Sequence, residues 1–304
     1  MLKLSKVVVL ALVICNSWAS QKVIYGEDGR VEVFEADKKW QQKAKSTAAL
    51  ISLENLSFDN IRGTYQVSPV GEETMGKKLN LCSDVRFKDQ INISTCSGFL
   101  IKDDILLTAG HCATGEMKDI CSSGKYVWVF GYQAKRSQDT RNIEIPKNNV
   151  VKCDEVLKST MNRTIDFAAI KLSRKLKRRP LEINKSQDIS AKEKLVVIGT
   201  PWGLPTKVAL SGSIINNKSK YYFTAALDTF QGNSGSAVFN NRTGLVEGIL
   251  VRGKTDAVSD EDTYCRRINQ CDNNGKSCSY RGGFQVGEDI MRMPFVYKKI
   301  SSSL

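Results

Sequence analysis

The chain has 304 residues, 41% of them hydrophobic and 25% charged, a profile that fits a globular protein and excludes a disordered or collagen-like one. Lysine and arginine outnumber aspartate and glutamate by 45 to 32, so the formal charge is +13 and the long-range attraction is toward anions. Nine cysteines are too sparse to replace a packed core with disulfides, and with one histidine and no C-x-x-C spacing they make no zinc site; no metal and no cofactor are expected.

The chain opens with Lys3 and Lys6, then the apolar run "VVVLALVIC", then "NSWAS" with small residues at Ser17 and Ala19. This is the layout of an export signal spanning residues 1–19 and cut after Ala19, and the run is too short to span a bilayer. Bulky Ile14 before Cys15 is unlike a lipoprotein signal. A secreted or periplasmic protein is expected. Loss of Cys15 with the signal leaves an even number of cysteines, as a disulfide-bonded exported chain requires.

Residues 20–60 are charged and contain a helix-compatible stretch from Ala36 to Lys45; they read as a propeptide or as an N-terminal arm on the domain. From about residue 64 short β-branched and aromatic runs take over: "TYQVSPV", "VWVFGYQ", "DFAAIKL", "KLVVIGT", "KVALSGSII", "YYFTAAL", "GSAVF" and "LVEGILVRG". Gly, Asn, Asp and Pro punctuate them, which predicts strands. No regular helices alternate with these runs, so a parallel α/β sheet is excluded and an all-β barrel or sandwich remains. Between Lys171 and Arg179 six basic residues crowd together. Such a run is ordinarily a solvated loop, and it can also contact acidic polymers; no nucleic-acid-binding motif accompanies it, so no specific nucleic-acid partner is expected. The closing "GEDIMRMPFVYKKISSSL" predicts a helix, with Met293, Val296 and Ile300 at helical spacing.

Two stretches carry chemistry. In "LDTFQGNSGSAVFNN", residues 227–241, glycines flank Ser234 between two β runs. Such a turn can present a serine hydroxyl while nearby backbone N–H groups converge on one spot, which is what acyl transfer needs. A serine nucleophile requires a base, and His111, at the end of "SGFLIKDDILLTAGHC", is the only histidine in the chain. The histidine requires a carboxylate behind it, and "RTIDFAAIKL" offers Asp166 at the head of an apolar run.

In "TCSGFLIKDDILLTAGHC", "IDFAAIKL" and "QGNSGSAVFN", in that order, the chain resembles the chymotrypsin-fold serine proteases, and most closely their secreted bacterial trypsin-like and glutamyl (V8-like) branch. The resemblance implies an all-β fold of two packed six-stranded antiparallel β-barrels with a C-terminal helix. The protease domain would cover 61–304, with a first barrel at about 61–180 and a second at about 190–290. It implies a serine-type endopeptidase with catalytic His111, Asp166 and Ser234, and oxyanion donors on the N–H groups of Gly232 and Ser234. It also implies a Cys96–Cys112 disulfide, protein or peptide substrates, and a monomer. Bridging that loop would stabilise the fold by roughly 3 kcal/mol on chain entropy. Among the other cysteines, a bridge within Cys265, Cys271 and Cys278 is expected from their closeness in sequence.

The chain departs from this family's pattern at Asn233, Leu250 and Val251 and matches its trypsin-like members at Asp228. Asn233 stands where the animal digestive enzymes have the aspartate that pairs with a newly cut N-terminus, so that switch is not expected here; a cut after Lys22 would expose Val23. Asp228, six residues before Ser234, is the position at which trypsin-like enzymes bind a substrate Arg or Lys, and it leads to the expectation of cleavage after basic residues. Leu250 replaces the histidine of glutamate-specific members, while Val251, Arg252 and Gly253 are expected along one wall of the cleft, with Arg252 adding a cation. Val251 also replaces a serine that bonds the catalytic aspartate in many relatives, so Asp166 needs another partner, Thr164 or a backbone N–H. The alternatives are cleavage after other residues, Glu included, and a non-catalytic homologue that binds an acidic partner through its basic surface.

Overall fold

The computed structural model describes residues 23–67, 74–114, 120–253, 256–259, 263–273, 277–278 and 287–304. The expected export signal therefore lies outside the described residues.

Short apolar strands build two antiparallel sheets of seven strands each. In the first, the order is Val150–Val151, Tyr126–Phe130, Thr47–Ser52, Ser94–Lys102, Ile105–Thr108, Asp166–Leu172 and Cys153–Met161. Its two edge strands are separated in sequence only by Lys152, so the sheet curls until its edges share one stretch of chain. The second sheet runs Lys194–Gly199, Ala237–Asn240, Val246–Arg252, Glu288–Arg292, Tyr222–Ala226, Lys207–Asn216 and Arg30–Glu32. Here Lys194–Gly199 also pairs with Lys207–Asn216, which closes six strands into a barrel and leaves Arg30–Glu32 as an addition to its side. The fold is the chymotrypsin-like one expected, with a refinement. One barrel is closed by hydrogen bonds, whereas the other is a curled half-barrel joined at its edges by the backbone alone.

The segment read as an arm or propeptide contributes to both sheets. Thr47–Ser52 pairs on one side with Ser94–Lys102 and on the other with Tyr126–Phe130, so the first barrel begins well before residue 61. Ala48 and Ala49 at the start of this strand gave it little β character to read. The helix expected at Ala36–Lys45 occupies Lys38–Ala44 and buries Trp40 and Ala44, one turn apart. Trp40 packs on Phe239 of the second barrel at 5.5 Å between ring centroids, so this helix from the N-terminal segment rests on the far barrel. At the other end Met293–Ile300 is helical as expected, with Pro294 in its first turn, Lys298 and Lys299 in its last, and Met293, Val296 and Ile300 buried.

A single apolar cluster runs through both halves, from Phe99, Trp128 and Phe167 in the first sheet to Ile198, Phe239 and Ile249 in the second and on to the C-terminal helix. Four disulfides add cross-links: Cys82–Cys265, Cys96–Cys112, Cys121–Cys153 and Cys271–Cys278. The close pair Cys271–Cys278 fits the sequence expectation, while Cys265 reaches back to Cys82.

Candidate active site

His111 sits in a helical turn, Gly110–Thr114, directly after strand Ile105–Thr108. The apolar strand fixes where the turn begins, and the Cys96–Cys112 bridge ties it to Ser94–Lys102. Gly110 is required by space: a Cβ there would stand 2.3 Å from the Thr160 carbonyl oxygen and 3.0 Å from Asp166 Oδ1.

Asp166 opens strand Asp166–Leu172 after a tight turn. Asn162 Oδ1 accepts the Thr164 and Ile165 N–H groups and so shapes that turn. The Asp166 carboxylate then holds the histidine at two points. Its Oδ2 lies 2.7 Å from His111 Nδ1, and its Oδ1 accepts the His111 backbone N–H at 3.0 Å. The second bond is the partner that the valine at position 251 had left open; it is a backbone N–H, not Thr164. A neutral imidazole with its proton on Nδ1, facing the carboxylate, presents a bare Nε2 on its other side. Asp166 has 7% of its side chain exposed and His111 26%, so the acid is sheltered and the ring reaches solvent.

Ser234 lies in the loop before strand Ala237–Asn240, and the first barrel fastens that loop from beneath. The Ser97 N–H donates to the Ser234 carbonyl oxygen at 2.8 Å. The Ser97 hydroxyl donates to the Gly232 carbonyl oxygen at 2.9 Å and accepts the Thr200 N–H at 3.0 Å. The Thr200 hydroxyl lies 3.2 Å from the same Gly232 oxygen, and the Thr108 hydroxyl donates to the Ser97 carbonyl oxygen at 2.7 Å. Cys112 Sγ stands 3.7 Å from the Ser234 carbonyl oxygen, so the histidine turn abuts the serine loop. Gly232, at φ +93°, turns its backbone through the left-handed region, and a Cβ there would come within 2.5 Å of the Thr200 carbonyl oxygen. Among the described residues the N–H groups of Gly232 and Ser234 make no hydrogen bond to protein. They are donors available to an oxyanion.

The expected pocket residues are placed as follows. Asp228 is buried, with both oxygens engaged by the N-terminal segment: Oδ1 accepts the Tyr25 N–H and Oδ2 the Gly29 N–H, each at 2.8 Å. Burial pushes its carboxyl up to about 6, with the two N–H donors pulling the other way. Tyr25 adds a second tie, its hydroxyl 3.4 Å from Glu288, which also accepts the Thr229 hydroxyl at 2.9 Å. Val251 is wholly buried in the main core, so its side chain does not face a cleft. Arg252 does not stand as a free cation. Its Nε lies 3.3 Å from Asp289 Oδ2, its guanidinium lies over the Tyr222 ring at 5.6 Å, and it donates to the Arg163 carbonyl oxygen at 2.9 Å. Arg252 thus reaches from the second barrel to the turn that delivers Asp166. Gly253 follows directly on that strand.

Sequence reasoning missed the Ser97–Thr200–Thr108 hydroxyls. Ser97 adjoins Cys96 in a quoted motif, but nothing in the spacing of Thr200 and Thr108 marks them as partners. Cys96, Cys112 and His111 bring three ligand-type atoms within 4.8 Å of one another, yet both sulfurs are bonded to each other and offer no thiolate to a metal.

A family model described as "trypsin-like peptidase domain" matches residues 96–249, half of the chain and the part that holds His111, Asp166 and Ser234. No curated protein sequence matches the chain. Among solved structures, the VesB protease of Vibrio cholerae superposes with a TM-score of 0.51 at 12% identity, over 92% of this chain and 67% of that one. A Glu endopeptidase solved with MPD gives a TM-score of 0.49 at 15% identity, over 92% of this chain and 98% of that one. A serine endoprotease of Yersinia pestis gives 0.46 at 14% identity, over 87% of this chain and 64% of that one.

Proposed function

The chain belongs to the trypsin-like peptidase family and is a serine-type endopeptidase acting on protein or peptide substrates, and on that premise we propose that His111, Asp166 and Ser234 are its catalytic triad. The observation that carries this reading is the two-point hold of Asp166 on His111, at 2.7 Å to the ring and 3.0 Å to the backbone. It fixes both the tautomer and the tilt of the only histidine in the chain.

In the proposed reaction Ser234 Oγ attacks the scissile carbonyl carbon as its proton passes to His111 Nε2. The carbonyl oxygen gains the charge and is met by the unengaged N–H groups of Gly232 and Ser234. The imidazolium, held by Asp166, returns its proton to the leaving amine as the C–N bond breaks, which leaves an acyl-enzyme. Water then attacks the acyl carbon with the histidine again as base, releasing the acid and restoring the serine. Loss of one oxyanion donor typically costs about 10²–10³ in kcat, so the fixed orientation of the Gly232 N–H adds substantially to the triad.

For specificity we assign Asp228 to the N-terminal segment and not to a substrate cation. Both of its oxygens carry backbone N–H groups, so cleavage after Arg or Lys does not follow from this residue. Arg252, paired with Asp289, likewise gives no free charge with which to select glutamate. Turnover of matched peptides with Arg, Glu and apolar residues before the scissile bond tests this; a strong preference for Arg lost on Asp228→Asn would overturn it. Export follows from the N-terminal signal pattern, and four disulfides suit an oxidising compartment.

The catalytic reading is tested with a fluorophosphonate probe on the purified protein, with the adduct located by peptide mass spectrometry. Labelling at Ser234 that disappears on heat denaturation and in Ser234→Ala supports the triad. Absence of labelling in folded protein supports the non-catalytic homologue.

A further inference from the structure

The basic run from Lys171 to Arg179 is not an isolated loop. It packs beside the end of helix Lys38–Ala44 and the turn at Lys147–Asn149, and together they enclose a groove of 930 Å³. Seven lysines and arginines line it against one carboxylate, Glu182, which Arg179 takes at 2.8 Å.

Two of the arginines are fixed there by neutral groups. Arg174 donates to the carbonyl oxygens of Asn148 and Val150 at 2.8 and 3.2 Å. Arg178 donates to the Lys45 carbonyl oxygen at 2.5 Å and to Asn149 Oδ1 at 2.6 Å, with its guanidinium over the Phe130 ring at 4.9 Å. Among the described residues neither has a carboxylate partner. Burial and the like charge of Arg174 lower the pKa of Arg178, and burial lowers that of Lys43 on the helix despite Glu182. Positive charges held rigid in a concave wall repel one another, and the same concavity focuses their field on an incoming anion. Pre-fixed guanidinium forks meet carboxylate, sulfate or phosphate without further ordering.

The lining narrows the class of anion. The site is a groove, which suits a chain and not a flat bilayer. Among the described residues no aromatic ring lines it, Phe130 being wholly buried beneath Arg178, so it offers no platform on which bases could stack. Gln42 and Asn148 are exposed along it and bring amide groups suited to sugar hydroxyls. We propose that this groove binds an anionic polysaccharide, a glycan bearing carboxylate, sulfate or phosphate groups, and so holds the enzyme on an acidic matrix. The assignment is independent of the triad.

The test uses fluorescent heparin as a sulfated glycan and polygalacturonate as a carboxylated one, with the full disulfide-bonded protein at about 0.15 M salt. Saturable binding to at least one of them is expected, weakening linearly on a log–log plot against salt. The double variant Lys175→Glu/Lys177→Glu should weaken binding at least about tenfold and lower the salt slope by about two, with an unchanged thermal midpoint. Lys45→Glu, at the end of the helix, should weaken it in the same direction. No binding to either glycan, binding untouched by both variants, or tighter binding to a single-stranded oligonucleotide or to anionic vesicles would each overturn the proposal.

Discussion

Replacing Ser97 by alanine removes one oxygen that joins the two barrels beneath the nucleophile. In the native protein this hydroxyl accepts the Thr200 N–H at 3.0 Å and donates to the Gly232 carbonyl oxygen at 2.9 Å, and Ser97 and Thr200 are each 1% exposed. After the substitution the Gly232 oxygen keeps the Thr200 hydroxyl at 3.2 Å, but the Thr200 N–H is left buried without an acceptor. A lost hydrogen bond is worth about 1 kcal/mol and a stranded buried donor about 1–3 kcal/mol, so Ser97→Ala should destabilise by about 2–4 kcal/mol. For a domain of this size that is a fall of about 3–7 °C in the unfolding midpoint. Because the Gly232 carbonyl, adjoining the peptide that carries the proposed Gly232 N–H donor, would then be held by one bond in place of two, kcat should fall by about tenfold or more while KM changes little. Thermal unfolding and steady-state turnover of the same preparation check both halves. A midpoint within about 1 °C of native would refute the reasoning, since it would mean that the Thr200 N–H is not dependent on this oxygen.

Gly110→Ala should press a methyl group against the Thr160 carbonyl and displace the His111 turn; with misplacements near 1 Å costing about 10²-fold, Ser234 labelling should slow by that order while the protein stays folded. Lys207 is buried against Glu32 and Gln90, and burial lowers its ammonium to about 8. The unfolded chain therefore binds more protons between about pH 8 and 10.5, so this residue makes stability rise with pH across that window, and Lys207→Met should flatten the rise in denaturant titrations. Asp228 has the opposite sign: with its folded carboxyl raised to about 6, its contribution is full below the ordinary carboxylate range and is lost as pH rises through 6, so the pH dependence between about 4 and 6 should weaken in Asp228→Asn. Removing the Cys96–Cys112 bridge as a double serine variant should cost roughly 3 kcal/mol and slow labelling, read by denaturant midpoint and by probe kinetics.

The candidate catalytic residues were legible because chemistry restricts them tightly. One histidine, one serine in a glycine turn and one aspartate before an apolar strand leave almost no choice of partners. Most strands after residue 64 announced themselves by β-branched runs, and the C-terminal helix by the spacing of Met293, Val296 and Ile300. Thr47–Ser52 did not, because its alanines carry little propensity and its place is set by the strands on either side. The contacts of Asp228 with the N-terminal segment were hidden for a related reason. Its partners Tyr25 and Gly29 lie 203 and 199 residues away in the chain, and no local pattern records such a contact. Ser97 shows the same limit: its role is defined by Thr200 and Gly232, which the fold brings to it from the other barrel.

The Cys82–Cys265 bridge spans 183 residues, whereas Cys96–Cys112 spans 16. A chain that emerges from its N-terminus can join the short pair early, but it must carry the Cys82 thiol unmatched past Cys96, Cys112, Cys121 and Cys153 before its partner exists. Thiolate exchange will meanwhile sample those nearer cysteines, and each wrong pairing has to be undone before the second barrel can be stapled to the first. Oxidative refolding of the reduced protein should therefore be limited by disulfide reshuffling rather than by strand pairing, and an added disulfide isomerase should speed the recovery of active enzyme far more than an added oxidant.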